Sequence, residues 1–302
     1  MTIFASFSVQ SLAQSFTITG AIPKVSSNSS SSQNQNLESS YPKKEEPKSD
    51  KSANLILKNE DFYKIPTKFD SAFKIQKYLE KNKSLLATLE IETGLESDDP
   101  VINKKQLPEV YNSQKILQNY NSKKVLASQL IWDLSTTNLA NGCSISSSKV
   151  CLDNATKPIN PTFLIALIQK ESGLIYGTNA KLNPEKPETK FLIERATGYY
   201  CMESDNKAES CYDQNPDWKY YKGFFRQTYF AMRFLNLTAK RCELGKDFGL
   251  RLEAGKHFVG NKLKFGEIEV VPENGITCAL YAFTPHIRAQ KFFRELFEDI
   301  SE

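Results

Sequence analysis

The stretch that decides the fold is Pro161-Thr-Phe-Leu-Ile-Ala-Leu-Ile-Gln-Lys-Glu171-Ser-Gly173. Asn160 precedes it and suits the N-cap, and a proline suits the first position of a helix. Residues 163–168 are apolar on every face, which predicts a helix that is enclosed by protein. Gly173 is a typical C-terminal stop. The pattern therefore predicts a buried helix that carries one carboxylate, Glu171, in its last turn.

Glu171 has two interpretations at this point. In the first it is a general acid, because poor solvation and the negative end of the helix dipole favour a protonated carboxyl group. General-acid catalysis needs such a group. In the second it is a surface glutamate at the end of an ordinary core helix. The segment alone leaves both interpretations open.

Composition limits the classes of partner. The 302 residues carry a formal net charge of +4, and no dense block of lysine and arginine indicates a nucleic-acid partner. An apolar run of about 18 residues, which a membrane-spanning helix requires, does not occur in the sequence. The length suits one large domain or two small ones.

The six cysteines occur as three pairs along the chain: Cys143–Cys151, Cys201–Cys211 and Cys242–Cys278. The absence of a Cys-x-x-Cys pair and the presence of only two histidines argue against a metal site. An even number of cysteines without metal-ligand spacing favours disulfides and an oxidising, extracytoplasmic location. The alternative is six buried free thiols in a cytosolic protein.

The chain divides by composition into three parts. Residues 1–25 form a possible signal or leader segment, in which Ser11-Leu-Ala13 resembles a cleavage site although a basic n-region is missing. Residues 26–60 are rich in Ser, Asn and Gln and then in Lys, Glu and Pro, which predicts a disordered linker. Residues 61–302 form the predicted folded domain.

Periodicity within that domain predicts a mainly α fold of the α+β class. An apolar stripe indicates a helix capped by Asp70 that runs through Leu79, and a second helix places Leu126 and Leu134 on one face. Alternation between residues 256 and 271 predicts a small β-hairpin around Gly260-Asn261. Further helices are expected over residues 218–235, 274–281 and 288–300.

Several kinds of catalytic site are excluded because their motifs are missing. The sequence has no GxSxG, GxxxxGK[ST], GxGxxG or HExxH motif, so it predicts no cofactor and no metal. Aromatic residues are dense in the C-terminal half. They can stack on sugar rings, or alternatively they build the core.

Six short motifs occur in the order known from one family. They are Ile75-Gln-Lys-Tyr-Leu79, Ala127-Ser-Gln-Leu-Ile-Trp132, Asn160-Pro161 with Gln169-Lys-Glu-Ser-Gly173, Ala196-Thr-Gly-Tyr-Tyr-Cys201, Tyr221-Lys-Gly-Phe-Phe-Arg-Gln227 and Asn274-Gly-Ile-Thr-Cys-Ala-Leu-Tyr-Ala-Phe-Thr-Pro-His286. Together they resemble bacterial cell-surface proteins with a divergent lysozyme-like domain. The Glu-Ser pair resembles that of the soluble lytic transglycosylases. The resemblance implies a helical bundle around a central buried helix that carries the catalytic glutamate.

The resemblance also implies roles for the matched residues. Glu171 matches the general acid that protonates the glycosidic oxygen between N-acetylmuramic acid and N-acetylglucosamine, and Tyr281 matches a tyrosine whose hydroxyl orients that glutamate. Gln227 is expected to line the substrate cleft. The complete set of substrate-binding candidates is Ser172, Thr197, Tyr199, Gln227 and Asn274.

The predicted function is therefore cleavage of peptidoglycan glycan strands by a monomeric, secreted or surface-associated enzyme. A single acid suits a lytic transglycosylase, in which the C6 hydroxyl of the muramic residue attacks its own anomeric carbon; a muramidase that uses water stays open. An inactive surface domain that binds peptidoglycan also stays open, because Tyr281 is not followed by the Asn and Gly of the family. A third alternative, an intracellular helical interaction protein, requires reduced cysteines.

Overall fold

Helices dominate the part of the chain that the computed structural model describes, which is residues 48–49, 51–93, 123–136, 158–199, 201, 218–245 and 259–302. These residues belong to one unit, Lys48–Glu302. Numbered among the described residues, the helices are α1 (Asn59–Tyr63), α2 (Ala72–Lys81), α3 (Ala127–Thr136), α4 (Pro161–Ser172), α5 (Pro187–Glu194), α6 (Trp218–Tyr221), α7 (Phe224–Glu243), α8 (Gly275–Phe283) and α9 (Ile287–Ser301).

The strands are short and form two small sheets. They are β1 (Lys48–Ser49), β2 (Glu90–Thr93), β3 (Lys123–Leu126), β4 (Leu263–Phe265) and β5 (Ile268–Val270). One sheet has the order β1–β5–β4, in which β1 is parallel to β5 and β4 is antiparallel to β5; the other pairs β2 with β3 in antiparallel fashion. The mainly helical fold with a small antiparallel sheet is therefore confirmed.

Helix α4 is enclosed along its first two turns. All residues from Pro161 to Ile168 are buried, and α3 and α9 pack against the helix. The ring of Phe163 meets those of Phe62 and Phe293 edge-on, with centroids 4.7 and 5.1 Å away. Burying a side chain of this size contributes about 1.5–3 kcal/mol to the free energy of unfolding. The predicted buried helix is confirmed.

Helices α7 and α8 pack closely against each other. A Cβ at Gly275 would overlap the carbonyl oxygen of Ala239, so only glycine allows this approach. A disulfide between Cys242 and Cys278 joins the two helices, with the Cα atoms 6.3 Å apart. This pair confirms one of the three predicted disulfides.

The other predicted disulfides fall wholly or partly outside the described residues. Cys201 is disulfide-bonded, while Cys211, the predicted partner, lies beyond the described ranges. The predicted Cys143–Cys151 pair lies there as well, and so do the leader at residues 1–25 and the linker up to residue 47.

The prediction of a disordered linker is wrong for residues 51–60. Residues 51–60 belong to the folded unit, because Ala53, Ile56 and Leu57 are buried. The backbone N–H of Ile56 donates to Thr277 Oγ1 at 3.1 Å. The stretch was predicted to be disordered because most of its residues are polar. The partners that hold it in the fold lie more than two hundred residues away in sequence.

Three local predictions are also corrected. Helix α2 is capped by Ser71, whose Oγ accepts from the N–H of Lys74, while Asp70 forms an ion pair with Lys74 Nζ at 2.8 Å. Leu126 ends strand β3 and is exposed instead of lying on a helix face. The hairpin β4–β5 turns at Gly266 (φ 62°), not at Gly260-Asn261. None of the helices in the described ranges has the length and apolar character to cross a membrane.

Candidate active site

Glu171 lies in the last turn of α4. Asn160 Oδ1 accepts a hydrogen bond from the N–H of Thr162 at 2.9 Å and begins the helix, while Gly173 (φ 66°) ends it in the left-handed conformation. The Glu171 side chain is 17% exposed, in contrast to the buried residues 161–168 of the same helix. The helix thus delivers one carboxylate from the core to the edge of the surface.

The nearest charged partner of Glu171 is its sequence neighbour. Lys170 Nζ lies 2.5 Å from Glu171 Oε1 and 3.2 Å from Thr284 Oγ1, and the Lys170 side chain is only 6% exposed. A largely buried ion pair of this kind is costly to break, because removal of one partner leaves the other charge uncompensated. The interpretation of Glu171 as an isolated acid in an apolar setting omitted this ammonium group.

A backbone segment also lies directly against the carboxylate. A Cβ built at Gly198 (φ 68°) would be 3.0 Å from Glu171 Oε2. Glycine therefore serves two purposes here, because it adopts the left-handed conformation and leaves room for the carboxylate. The segment 196–199 forms one wall of the site.

Three buried polar side chains hold this wall in place, and we call them the polar clamp: Ser172, Thr197 and Gln227. The Ser172 hydroxyl lies 2.8 Å from the carbonyl oxygen of Ile168 and 3.0 Å from that of Ala196. The Thr197 hydroxyl donates to the carbonyl oxygen of Gln227 at 2.9 Å. The clamp ties the end of α4 and the start of α7 to the segment beside Glu171.

Gln227 is the most connected member of the clamp. Its Nε2 donates to the carbonyl oxygens of Tyr199 and Tyr221, each at 2.9 Å, and its Oε1 accepts from the N–H of Tyr199 at 3.0 Å. Because the side chain is fully buried and its amide is used by backbone groups, the prediction that Gln227 lines the substrate cleft is wrong. Ser172 and Thr197 are corrected in the same way, because both are buried and their hydroxyl groups bond backbone carbonyl oxygens.

Tyr281 and Asn274 also differ from their predicted roles. The Tyr281 hydroxyl is buried and donates to the carbonyl oxygen of Ala53 at 2.9 Å, so its proton is used for the N-terminal segment instead of Glu171. Asn274 caps α8: its Oδ1 accepts from the N–H of Thr277 and its Nδ2 donates to the carbonyl oxygen of Leu57, at 2.9 and 2.8 Å. Both residues join α8 to the segment before α1.

Tyr199 stays partly exposed, and it lies in an aromatic cluster with Phe230, Phe234 and Phe283. Its ring stacks on those of Phe230 and Phe283 at 6.1 and 6.2 Å, and the ring of Phe234 is tilted at 6.0 Å. Phe283 directly precedes Thr284, the partner of Lys170. The aromatic cluster is therefore connected to the Glu171 site at two places in the chain: Tyr199 follows Gly198, and Phe283 precedes Thr284.

Sequence reasoning missed Lys170, Gly198 and Phe283 as parts of the site. The signal was present in each case, because all three lie inside or beside a motif that was singled out for another residue. The described residues contain no group of three or more His, Cys, Asp or Glu side chains that could hold a metal ion. The site itself presents the carboxylate of Glu171 beside the ammonium group of Lys170.

Comparison of the chain with protein-family models found no match, and comparisons with curated proteins and with solved structures found none either. The functional interpretation thus depends on the geometry of the site and on the motifs in the sequence.

Proposed function

We propose that the protein cleaves the β-1,4 bond between N-acetylmuramic acid and N-acetylglucosamine in peptidoglycan, with Glu171 as general acid and base on a lysozyme-like fold. The observation that carries the proposal is the placement of Glu171: a partly exposed carboxylate at the end of a buried helix, with a glycine wall against it. The polar clamp supports it, because a catalytic group must be held by residues that are themselves fixed.

The two carboxylate oxygens of Glu171 have different surroundings. Oε1 is held by Lys170, whereas Oε2 lies beside Gly198. Oε2 is therefore the oxygen suited to carry the proton to the glycosidic oxygen. As the C–O bond breaks, the C6 hydroxyl of the muramic residue bonds to the anomeric carbon and returns its proton to Glu171, which gives a 1,6-anhydro product.

Replacement of Glu171 by Gln tests the proposal. The Gln has nearly the same shape but cannot donate an acidic proton, so we expect release of fragments from purified cell-wall sacculi to fall by about 100-fold or more. The matched control is Glu188→Gln, an exposed glutamate in α5. Mass spectrometry of the fragments identifies anhydro or reducing ends. Full activity of the Glu171→Gln variant, with wild-type circular dichroism, would overturn the proposal.

A second candidate function is peptidoglycan binding without cleavage. The ion pair between Lys170 and Glu171 favours it, because the ammonium group compensates the carboxylate charge and occupies one of its oxygens. Sacculus pull-down in which the intact protein is retained and no fragment appears would select this function over cleavage.

An extracytoplasmic location is part of the same proposal. The Cys242–Cys278 disulfide supports it, because disulfides persist in oxidising compartments. Titration of free thiols in the protein isolated from its native host checks this point, and six reactive thiols would contradict it.

A further inference from the structure

The ammonium group of Lys170 joins two helices of the site. Its Nζ lies 2.5 Å from Glu171 Oε1 in α4, and it donates to Thr284 Oγ1, directly after α8, at 3.2 Å. The Lys170 side chain is 6% exposed, so these two oxygens replace most of the water that an ammonium group binds at the surface. The long side chain is therefore held in one place by a carboxylate and a hydroxyl group.

Thr284 is itself fixed by the buried side chain of Gln290 in α9. Gln290 Nε2 donates to the carbonyl oxygens of Leu280 and Thr284, at 2.6 and 2.7 Å. The backbone N–H of Thr284 also donates to the carbonyl oxygen of Leu280, at 2.9 Å. Gln290 is fully buried, and α9 packs in turn against α4. Thr284 therefore presents its hydroxyl group to Lys170 from a backbone that is tied to two helices.

The ammonium group determines which oxygen of Glu171 can carry a proton. An ammonium group has three donors and no acceptor, so an oxygen that bonds it can only accept. Oε1 accepts from Lys170 whether the carboxyl group is protonated or ionised, and any proton that Glu171 carries therefore lies on Oε2. Oε2 is the oxygen beside Gly198. The pair thus leaves this one oxygen for the substrate.

We propose that Lys170 is a positioning residue for bond cleavage, anchored by Thr284, which orients the carboxyl group of Glu171. With Oε1 held, Oε2 gives its proton to the glycosidic oxygen as that bond breaks. Oε2 then receives the proton of the C6 hydroxyl, whose oxygen bonds to the anomeric carbon. The inference rests on the proposed function and adds the residue that orients its acid. Tyr281, which the sequence suggested for this role, donates to Ala53 instead.

Lys170→Met keeps the length of the side chain and removes its charge. We expect kcat on soluble glycan strands, expressed per folded molecule, to fall about tenfold or more, because a misplaced reacting group has an effect of this size. KM should stay within about twofold, since the lost interaction acts on the transition state. The matched control is Lys74→Met, which removes a lysine from an exposed ion pair with Asp70 and should leave both constants unchanged.

A kcat of Lys170→Met within about twofold of the wild-type value, or a change in KM alone, would overturn the proposal. Urea denaturation gives the folded fraction of each variant, so that a loss of folded protein is not counted as a loss of kcat.

Thr284→Val tests the anchor by itself and decides the question if Lys170→Met does not fold. Valine keeps the shape of threonine but cannot accept from Lys170 Nζ, and position 284 is only partly buried. We expect kcat to fall about threefold with KM unchanged, because one hydrogen bond is lost. Thr67→Val, at an exposed position before α2, is the control. An unchanged kcat in Thr284→Val would contradict the anchoring of Lys170.

The failure of this inference differs from the failure of the proposed function. If the wild type releases fragments and Lys170→Met keeps the wild-type kcat, only the role of Lys170 is wrong. If the wild type releases no fragment from sacculi, the cleavage proposal is wrong and the role of Lys170 in it is wrong as well.

Discussion

The two ends of α4 are stabilised by different kinds of interaction. At the N-terminal end, Phe163 packs between aromatic rings, and one polar side chain, that of Asn160, caps the helix. At the C-terminal end, the ion pair of Glu171 and the polar clamp replace apolar packing. A single helix of twelve residues thus passes from a dry core to a polar site.

This difference separates the interactions that anchor the helix from those that orient Glu171. Apolar packing depends on the volume of the side chains and little on their orientation. Buried polar groups, in contrast, require hydrogen-bond partners in fixed positions. The aromatic end can therefore anchor the helix without determining where the carboxylate points. The orientation of Glu171 depends on the glycine wall and on the clamp that holds it.

Phe163→Ala should produce the largest loss of stability and sharpen the comparison most. It leaves a cavity between Phe62 and Phe293, which is expected to cost about 3–5 kcal/mol in the free energy of unfolding. Urea denaturation measures the loss. Phe292→Ala, a phenylalanine of α9 that is 48% exposed, is the matched control and should cost about 1 kcal/mol or less. Equal losses would show that α4 is not anchored at this end.

Gln227→Leu should have the next largest effect. The leucine keeps most of the volume but leaves backbone groups of Tyr199 and Tyr221 without their partner, at a cost of about 2–3 kcal/mol. Because the wall beside Glu171 loosens, fragment release should also fall. Gln129→Leu on the exposed face of α3 is the control. A variant with lower stability but wild-type fragment release would show that the clamp does not position the site.

Gly198→Ala should cost about 1–2 kcal/mol, because an alanine is strained in the left-handed conformation. Its Cβ also meets Glu171 Oε2, so fragment release should fall several-fold. Gly177→Ala is the matched control: it has a positive φ of 89° but no neighbouring heavy atom within 4 Å of the added Cβ. Similar destabilisation with different activity is the expected result. Equal activity in the two variants would remove the wall from the site.

Helix α4 could be predicted from sequence because all its signals are local. The cap, the proline at the first position, the apolar run and the terminal glycine lie within fourteen consecutive residues, Asn160 to Gly173. Glu171 was placed correctly at its end for the same reason. The role of Tyr281 was predicted wrongly because its partner Ala53 lies 228 positions away. The role of Gln227 was predicted wrongly because its amide bonds the backbone of Tyr199, 28 positions away, which no local pattern indicates.

Lys170 shows a different limit of sequence reasoning. Consecutive residues in a helix point about 100° apart, so neighbours in sequence are not expected to face each other. The long lysine side chain nevertheless reaches the carboxylate of Glu171, because Thr284 at the end of α8 provides its second contact. The packing of α8 against the rest of the molecule decides this geometry, and no local pattern encodes it.

Alkaline titration of Tyr78 in α2 should give the smallest effect. Burial raises the pKa of Tyr78 to about 12, and the nearby Tyr176 and Asp299 contribute to the increase. The unfolded chain loses this proton near its ordinary pKa of 10.0, whereas the folded protein keeps it up to about 12. The contribution of Tyr78 to the free energy of unfolding is therefore constant below pH 10 and falls between pH 10 and about 12.

Tyr78→Phe removes this titration without removing the ring. We expect the free energy of unfolding to fall less in the variant than in the wild type as the pH rises through this range. The difference should be about 1 kcal/mol or less, because the Tyr78 side chain is only partly buried. Urea denaturation at about pH 9, 10.5 and 11.5 measures the slopes. Lysines also titrate there, but they are the same in both proteins, so the difference in slope isolates Tyr78. Parallel slopes would mean that burial does not raise the pKa of the Tyr78 hydroxyl.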